Sequence, residues 1–585
     1  MGTSDLNDIA DIQHKLGKEL ARMRVLLVDR HASARNSMRI ILSSLGITAV
    51  HNAGTSAEVL RQVKAYSFDI ILSDYHLDDG RDGQQLLEEL RHKNLISLST
   101  AYMVITAERA YQNVVSVAEL APDDYLIKPF TADQFHSRLI KTIYKKHFFE
   151  QVFQHLDNGA YADALAACDG LIGKEDAYLY DILRFKGEIL NVLGRHQEAQ
   201  VVYQQVLDHA MVPWARMGLA IALRGTDDLA AAEEMGASVI DDFPEYLAAY
   251  DFVASVREEM GKLAEAQQVL QKATEFSPNN SVRQRMVGDV AVRNDDLDTA
   301  ERAYGKVLER HQGSSLRVLD DYTNLTRVML DKGHTEGAKK VTQDLRRDWR
   351  GNKQGELAAL IMDSLCCEQE GEPAKAKQAL EKALELRSSL GDSDNKEFSQ
   401  KIAVDLAHAC LACGDENMAQ EILSKVAAEN HEDRSMIAQI QGVFSKTGHE
   451  EAGETLLAKV GKEIVELNNR GVLAARSGNI EASVQMLIEA VERVPNLQFL
   501  VNATKAIFTM LDRKGWDEEM GQRGIRYLQM AQSKDTRNAK VISARELYHK
   551  VARKYGIEVV PIGGVRSAGE KSGGEAIGQF RGPAD

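Results

Sequence analysis

FDIILSDYHLDDGRDG, residues Phe68–Gly83, decides how the amino-terminal part of this chain folds. Its apolar run Ile70-Ile71-Leu72 stops at Ser73-Asp74 and gives way to a polar, glycine-containing loop. A short apolar run bounded by turn residues predicts a strand buried on both faces, the kind found in parallel sheets. Asp74 then stands at the carboxyl end of that strand, where open α/β sheets place their ligands. A lone strand-end aspartate usually serves only as a helix cap, so its neighbours must decide what it does.

Working outward, apolar strands alternate with helical patterns. Strands are predicted at Arg24–Val28, Ile47–His51, Asp69–Ser73, Tyr102–Ile105 and Tyr125–Ile127. Helices are predicted at Ala32–Leu45, Thr55–Ala65, Gln84–His92 and Arg109–Leu120, with Thr131 opening a last one. Five such units in about 125 residues predict an α/β doubly wound parallel sheet. In strand order 2-1-3-4-5, strands one and three are neighbours whose carboxyl ends form the switch-point crevice. That order brings Asp29, Asp74, Thr106 and Lys128 to one edge, and the group is chemically coherent. A carboxylate can accept a phosphoryl group as nucleophile. A second carboxylate can help hold a hard cation, while an ammonium and a hydroxyl stabilise transferred charge.

With these residues in place, 24–146 closely resembles the receiver domain of bacterial two-component response regulators, a flavodoxin-like fold. The resemblance implies that Asp74 is the phosphoacceptor, supplied by a histidine kinase or a phosphotransfer protein. It casts Thr106, in VITAE, as the switch hydroxyl and Lys128, in YLIKPF, as the phosphate-pairing cation. Tyr125 matches the aromatic that rotates inward as Thr106 moves, and Lys128-Pro129 would be a cis peptide bond. Mg²⁺ would be held by Asp29, Asp74 and the main-chain carbonyl of His76. The 22-residue interval from Thr106 to Lys128 is the family's usual one.

Two departures stand out. Receivers carry two adjacent acidic residues after strand one; here they are Asp29-Arg30. Exchanging −1 for +1 a few ångströms from a divalent cation costs on the order of several kcal/mol even at a dielectric of about 20, so Arg30 opposes Mg²⁺. The loop after Asp74 lacks the usual proline and brings Asp78, Asp79 and Asp82, either a substitute ligand or solvated turn residues. Two readings therefore stand side by side, a phosphorylatable receiver and a pseudo-receiver fixed in one state.

Beyond His147 the pattern becomes helical, with a recurring Gly-x-x-x-x-Ala. Its alanines are Ala164, Ala199, Ala232, Ala266 and Ala300, and Asp227 and Asp295 replace the glycine before two of them. Later members are Ala338, Ala376, Ala419, Gly453, Ser483 and Met520, and the wider gaps from Ala300 to Ala419 predict longer helices or turns. A bulky residue stands four beyond most of them, Tyr203 and Tyr304 among them. Twelve before, the position is small: Gly187, Ala220, Ala254, Gly288, Ser364, Ala407 and Gly471. Two antiparallel helices pack closely only where small side chains meet large ones, and a unit that cannot bury its own apolar face must stack. The period near 34 resembles the tetratricopeptide repeat, which implies an all-α solenoid over 147–560 that binds an unidentified protein or peptide in its groove. Arg184, Lys186, Arg216, Arg283, Arg285 and Arg317 fall on first helices of their units, where they predict either solvated charge or a cradle for acidic tails. Asp517–Tyr555 reads as terminal capping helices.

The remaining signals bound the function. A net charge of −16, with no helix-turn-helix signature, disfavours nucleic acid and anionic membrane as partners. No apolar run is long enough for membrane insertion, and MGTSDLNDIADIQ lacks a leader pattern, so a cytoplasmic location is expected. Cys366-Cys367 and Cys410-x-x-Cys413 near His408 predict small apolar residues in a helix seam rather than zinc knuckles. Residues 1–22 predict an amphipathic helix, and the Gly- and Ser-rich 561–585 a disordered tail. Between Phe130 and Asn158 there is no Gly or Pro, which predicts one rod of about 42 Å joining the two parts. The combination predicts a response regulator with protein-binding output. It is not expected to be an enzyme beyond its own phosphotransfer and hydrolysis; the alternative is a constitutive scaffold.

Overall fold

The computed structural model describes residues 16, 19–77, 83–107, 122–311, 317–390, 399–535 and 538–557. Most of the predicted 1–22 helix, Asp78, Asp79 and Asp82, the predicted Arg109–Leu120 helix and the 561–585 tail lie outside them. The described residues fall into two compact units, the chain passing from one to the other between Gly159 and Ala160.

The first unit is built on five parallel strands in the order β2-β1-β3-β4-β5. They are β1 (Arg24–Val28), β2 (Ala49–Ala53), β3 (Ile70–Ser73), β4 (Ala101–Thr106) and β5 (Asp124–Ile127). Between them run α1 (Ala32–Ser44), α2 (Ser56–Ala65) and α3 (Gly83–His92), and α4 (Ala132–Phe148) follows β5. Leu26, Val28, Ile71, Tyr102 and Val104 join one buried cluster with Val59, Leu86, Leu87 and Leu90 of the helices. Leu27, Leu72, Met103 and Ile105, which alternate with them, are buried too. Both faces of the sheet are therefore covered, which is why these strands read as continuous apolar runs. β2 begins two residues later than predicted. Ile47 is buried ahead of the strand, whereas the ladder at this edge uses Ala49–Ala53, with Arg24 opposite Ala49 and Val28 opposite Ala53.

The expected straight rod is not formed. α4 ends at Phe148 and α5 (Glu150–Asp157) begins after Phe149, whose ψ of 9° bends the path. Phe149 is buried and stacks edge-on with Phe148. At its far end, Asp157 is tied to the sheet unit, accepting from Ser97 Oγ at 2.5 Å and from the Leu98 N–H at 3.2 Å. A carboxylate and an aromatic cluster thus hold α5 against the first unit, which extends past the predicted boundary at 146 to Gly159.

The second unit begins with α6 (Tyr161–Leu171) and is described as helices throughout. Most form antiparallel pairs, such as Leu179–Val192 with His196–Leu207 and Ser281–Arg293 with Leu297–Arg310. The Gly-x-x-x-x-Ala register has a direct backbone cause. Gly194, Gly261, Gly333, Gly371, Gly414, Gly448 and Gly478 all have φ between 72° and 85° at the turn inside a pair. Asp227 and Asp295, predicted to replace glycine, adopt φ of 66° and 57° at the same position. The next residue caps the second helix: Asp228, Asp296, Asp415 and Asn479 each accept from a backbone N–H three positions on. Ala199, Ala232, Ala266, Ala300, Ala338, Ala376 and Ala419 are wholly buried where the helices cross. Tyr203 fills the space over Gly187 and Gly218, Tyr304 that over Gly288, and Leu487 that over Gly471. The wider later intervals have the predicted origin, for Lys353–Gln369 and Pro373–Ser389 are 17 residues each. Further on, Glu450–Arg476 runs 27 residues without a break, fusing the second helix of one unit to the first of the next.

Candidate functional site

The sheet itself assembles the site. Main-chain pairing continues one residue past the strands: the Asp29 N–H donates to Ala53 O, Asp74 N–H to Val28 O, and Lys128 N–H to Thr106 O. Asp29, Asp74 and Lys128 are thereby fixed at one edge, next to Thr106 at the end of β4. Lys128 Nζ donates to Asp74 Oδ2 at 2.8 Å and to Asp29 Oδ2 at 3.0 Å. The other oxygens are held by the main chain, Asp74 Oδ1 by the Tyr75 N–H at 2.6 Å and Asp29 Oδ1 by the His31 N–H at 2.8 Å. Lys128-Pro129 is cis, as the sequence implied.

Electrostatics favour the ionised form of Asp74. Burial works against charge on Asp74, but the Lys128 hydrogen bond and charge, aided by the Thr106 hydroxyl, hold its carboxyl below the usual range. Burial likewise pulls the Lys128 ammonium down, and its bonds to Asp74 and Asp29 raise it instead. The Lys128 ammonium thus bridges the two side chains at this edge. Thr106 is wholly buried, and Tyr125 packs partly buried against the core.

The donor set can be tested against a divalent cation. Asp29 Oδ2 and Asp74 Oδ2 converge on a single point, where Lys128 Nζ now sits. Two carboxylates and a carbonyl such as that of His76 are hard oxygen donors of the type Mg²⁺ takes, with water completing its shell. Arg30 is turned aside, its Nε donating to His31 Nε2 at 3.0 Å on the surface. The residues fit the ion with one carboxylate fewer than the receiver pattern supplies.

Sequence reading missed two supports of this edge. The Arg35 guanidinium donates to the Asp29 carbonyl. Gly83, the first residue of α3, lies so close to Asp74 that a Cβ there would stand 2.6 Å from the Asp74 carbonyl oxygen and 3.1 Å from the Tyr75 Cα. The glycine was visible in the sequence, but its contact partner was not.

In the array, the six basic residues are ion-paired, Arg184 as a solvated pair within its own helix, and Arg317 stands ahead of the helix it was expected to lie on. Arg184 pairs with Glu188, Lys186 with Asp169, Arg216 with Asp242, Arg283 with Asp251, Arg285 with Asp321 and Arg317 with Asp348. Arg283 is 1% exposed. The pairs of Lys186, Arg216, Arg283 and Arg285 each join two helices. Cys366 and Cys410 are buried and their thiols are pushed up to about 12, so they pack as thiols in the helix seam.

Comparison with known proteins agrees with both halves. Residues 25–140 match the response regulator receiver domain, and residues 247–280 and 359–390 match the tetratricopeptide repeat. The chemotaxis protein CheY-3 of Vibrio cholerae is 27% identical over 119 residues, 20% of this chain and 90% of that protein. A two-component response regulator from Clostridium difficile is similar over 21% of this chain and 95% of its own, at 21% identity and TM-score 0.19. The C-terminal part of a TPR repeat-containing protein from Cytophaga hutchinsonii is similar over 43% of this chain and 99% of its own, at 16% identity and TM-score 0.35. The chain thus joins a response regulator receiver domain to tetratricopeptide repeats.

Proposed function

We propose that this chain is a two-component response regulator in which Asp74 accepts a phosphoryl group and the repeat array binds a protein. The bridging of Asp74 and Asp29 by Lys128 at the sheet edge carries this reading. A carboxylate held ionised is a ready nucleophile. One Asp74 oxygen attacks the phosphorus of a phosphohistidine on a histidine kinase or phosphotransfer protein. The P–N bond breaks, the imidazole keeps the electron pair, and an acyl phosphate remains. Lys128 then exchanges a carboxylate oxygen for a phosphoryl oxygen, and the Thr106 hydroxyl donates to another. Asp29, Asp74 and the His76 carbonyl would hold Mg²⁺, which when bound screens the charge on the incoming phosphate.

The output is binding rather than transcription: the array carries interlocked ion pairs where a DNA-binding domain would present basic surface, and the net charge is −16. Among the described residues no helix is long and apolar enough to cross a membrane. A second reading, a scaffold with a pseudo-receiver, draws on Arg30, which stands in sequence where receivers carry a second carboxylate. Acetyl phosphate with Mg²⁺ separates the two. The first reading expects a gain of about 80 Da per chain that Asp74→Ala abolishes and a chelator suppresses; unchanged mass supports the second.

A further inference from the structure

The last described helix of the array, Ala539–Tyr555, returns to the first, α6. Arg553 Nη1 lies 2.9 Å from Asp163 Oδ1. Glu546 Oε1 accepts the Ala162 N–H at 3.3 Å, and its carboxylate also takes the Tyr161 N–H. These are unpaired donors of the first turn of α6, so the final helix caps the first with a negative charge at its positive end. The Arg545 guanidinium lies over the Tyr161 ring at 5.1 Å. A Cβ placed on Gly194, in the first complete helix pair, would stand 3.5 Å from the Ala539 Cβ. Residues nearly four hundred positions apart therefore meet along one seam.

Part of that seam is open to solvent, although Arg545 in it is 8% exposed. Neighbouring units are welded by wholly buried alanines and by aromatic or aliphatic plugs, whereas Asp163 and Arg553 are 34% and 56% exposed. Exposed ion pairs are individually weak and are screened by salt.

We propose that Glu546, Arg553 and Arg545 form a clasp on Tyr161–Asp163 that closes the repeat array into a ring, and that this clasp is the array's reversible opening. The closed ring presents its inner helices as a continuous wall, and an extended polypeptide that enters sideways must pass the seam. This consequence for access rests on the array's being a protein-binding module; the clasp itself does not. Because only Asn158, Gly159, with φ of 65°, and Ala160 separate α6 from α5, the clasp also sits at the entrance of the chain to the array.

Disulfide trapping in the full chain tests it without phosphate or partner. Gly194→Cys with Ala539→Cys places two Cβ atoms within bridging range, and the native Cys168, Cys366 and Cys410 are buried with thiols pushed up to about 12. Mild oxidation should give the internal crosslink rapidly. Arg553→Glu should slow it about tenfold, about 1 M salt should slow it similarly, and Arg553→Glu combined with Asp163→Lys should restore it. Since cysteine at a positive-φ position can disturb the turn, Arg553→Lys treated with carbodiimide gives a second readout, an amide to Asp163 mapped by mass spectrometry. Absence of both crosslinks in folded protein overturns the ring. Crosslinking indifferent to salt and to Arg553→Glu overturns the clasp as its cause. If the crosslinks form while Asp74 takes no phosphate, the ring stands and only the signalling proposal falls.

Discussion

Replacing Gly83 by Ala should separate the acceptor's position from its chemistry. The added methyl would lie 2.6 Å from the Asp74 carbonyl oxygen, where van der Waals contact begins near 3.4 Å, so about 0.8 Å must be found. The obstacle is main chain on both sides, and Gly83 N–H also donates to the Tyr75 carbonyl at 2.6 Å. The strand-end loop that carries Asp74 therefore moves, or α3 moves away from it. Overpacking of this kind costs about 1–3 kcal/mol, offset by about 1 kcal/mol for Ala over Gly in a helix. Net loss of stability is thus roughly 0–2 kcal/mol, small beside the functional effect. A shift near 1 Å in a reacting group lowers rates about a hundredfold. Time-resolved intact mass with acetyl phosphate measures the rate, and thermal melting measures stability on the same sample. Phosphorylation of Gly83→Ala at the wild-type rate would refute the claim that this glycine sets where Asp74 sits.

Further outcomes follow from the packing and the charges. Gly187→Ala and Gly218→Ala each drive a methyl into the Tyr203 ring, which is 1% exposed, and should cost about 1–3 kcal/mol in urea unfolding. Gly170→Ala and Gly305→Ala, with open space around the new methyl, should be neutral or stabilise by up to about 1 kcal/mol. Asp405 is 2% exposed beside Arg327, and burial pushes its carboxyl up to about 7. A folded value above the unfolded one means the native state holds the proton longer, so stability falls as pH rises from about 4 to about 7, by on the order of 2–4 kcal/mol. Asp405→Asn should flatten that slope in calorimetric titration; an unchanged slope rejects the assignment. Asp74 is the opposite case, lowered when folded, so the stability it contributes is present above about pH 4 and lost as pH falls through its folded value. Lys128→Met, which leaves Asp29 and Asp74 facing each other, should destabilise by about 1–2 kcal/mol at neutral pH. The difference should shrink below about pH 4 as the carboxyls protonate.

Much of this architecture was legible because it rests on local periodicity. Doubly covered strands leave apolar runs, and a left-handed turn leaves Gly, or Asp at 227 and 295, five residues before a crossing alanine. Strand order could be inferred because right-handed crossovers permit few alternatives, and the edge then brought Asp29, Asp74, Thr106 and Lys128 together. What escaped depends on contacts distant in sequence. The bend at Phe149 follows from burying that ring and from the Asp157–Ser97 bond sixty residues apart. The pairing of Arg283 with Asp251 or Arg285 with Asp321 needs the superposition of successive units, which a helical pattern read one unit at a time does not contain. The seam between Asp163 and Arg553 depends on the accumulated curvature of every intervening pair.

The central claim is that one carboxylate at the sheet edge carries the phosphoryl group. Borohydride reduction of the acetyl phosphate-treated protein converts an aspartyl phosphate to homoserine, which peptide mass mapping assigns to a position. Homoserine at position 74 alone is the predicted result. Its absence there, or its appearance at another aspartate, would contradict the account.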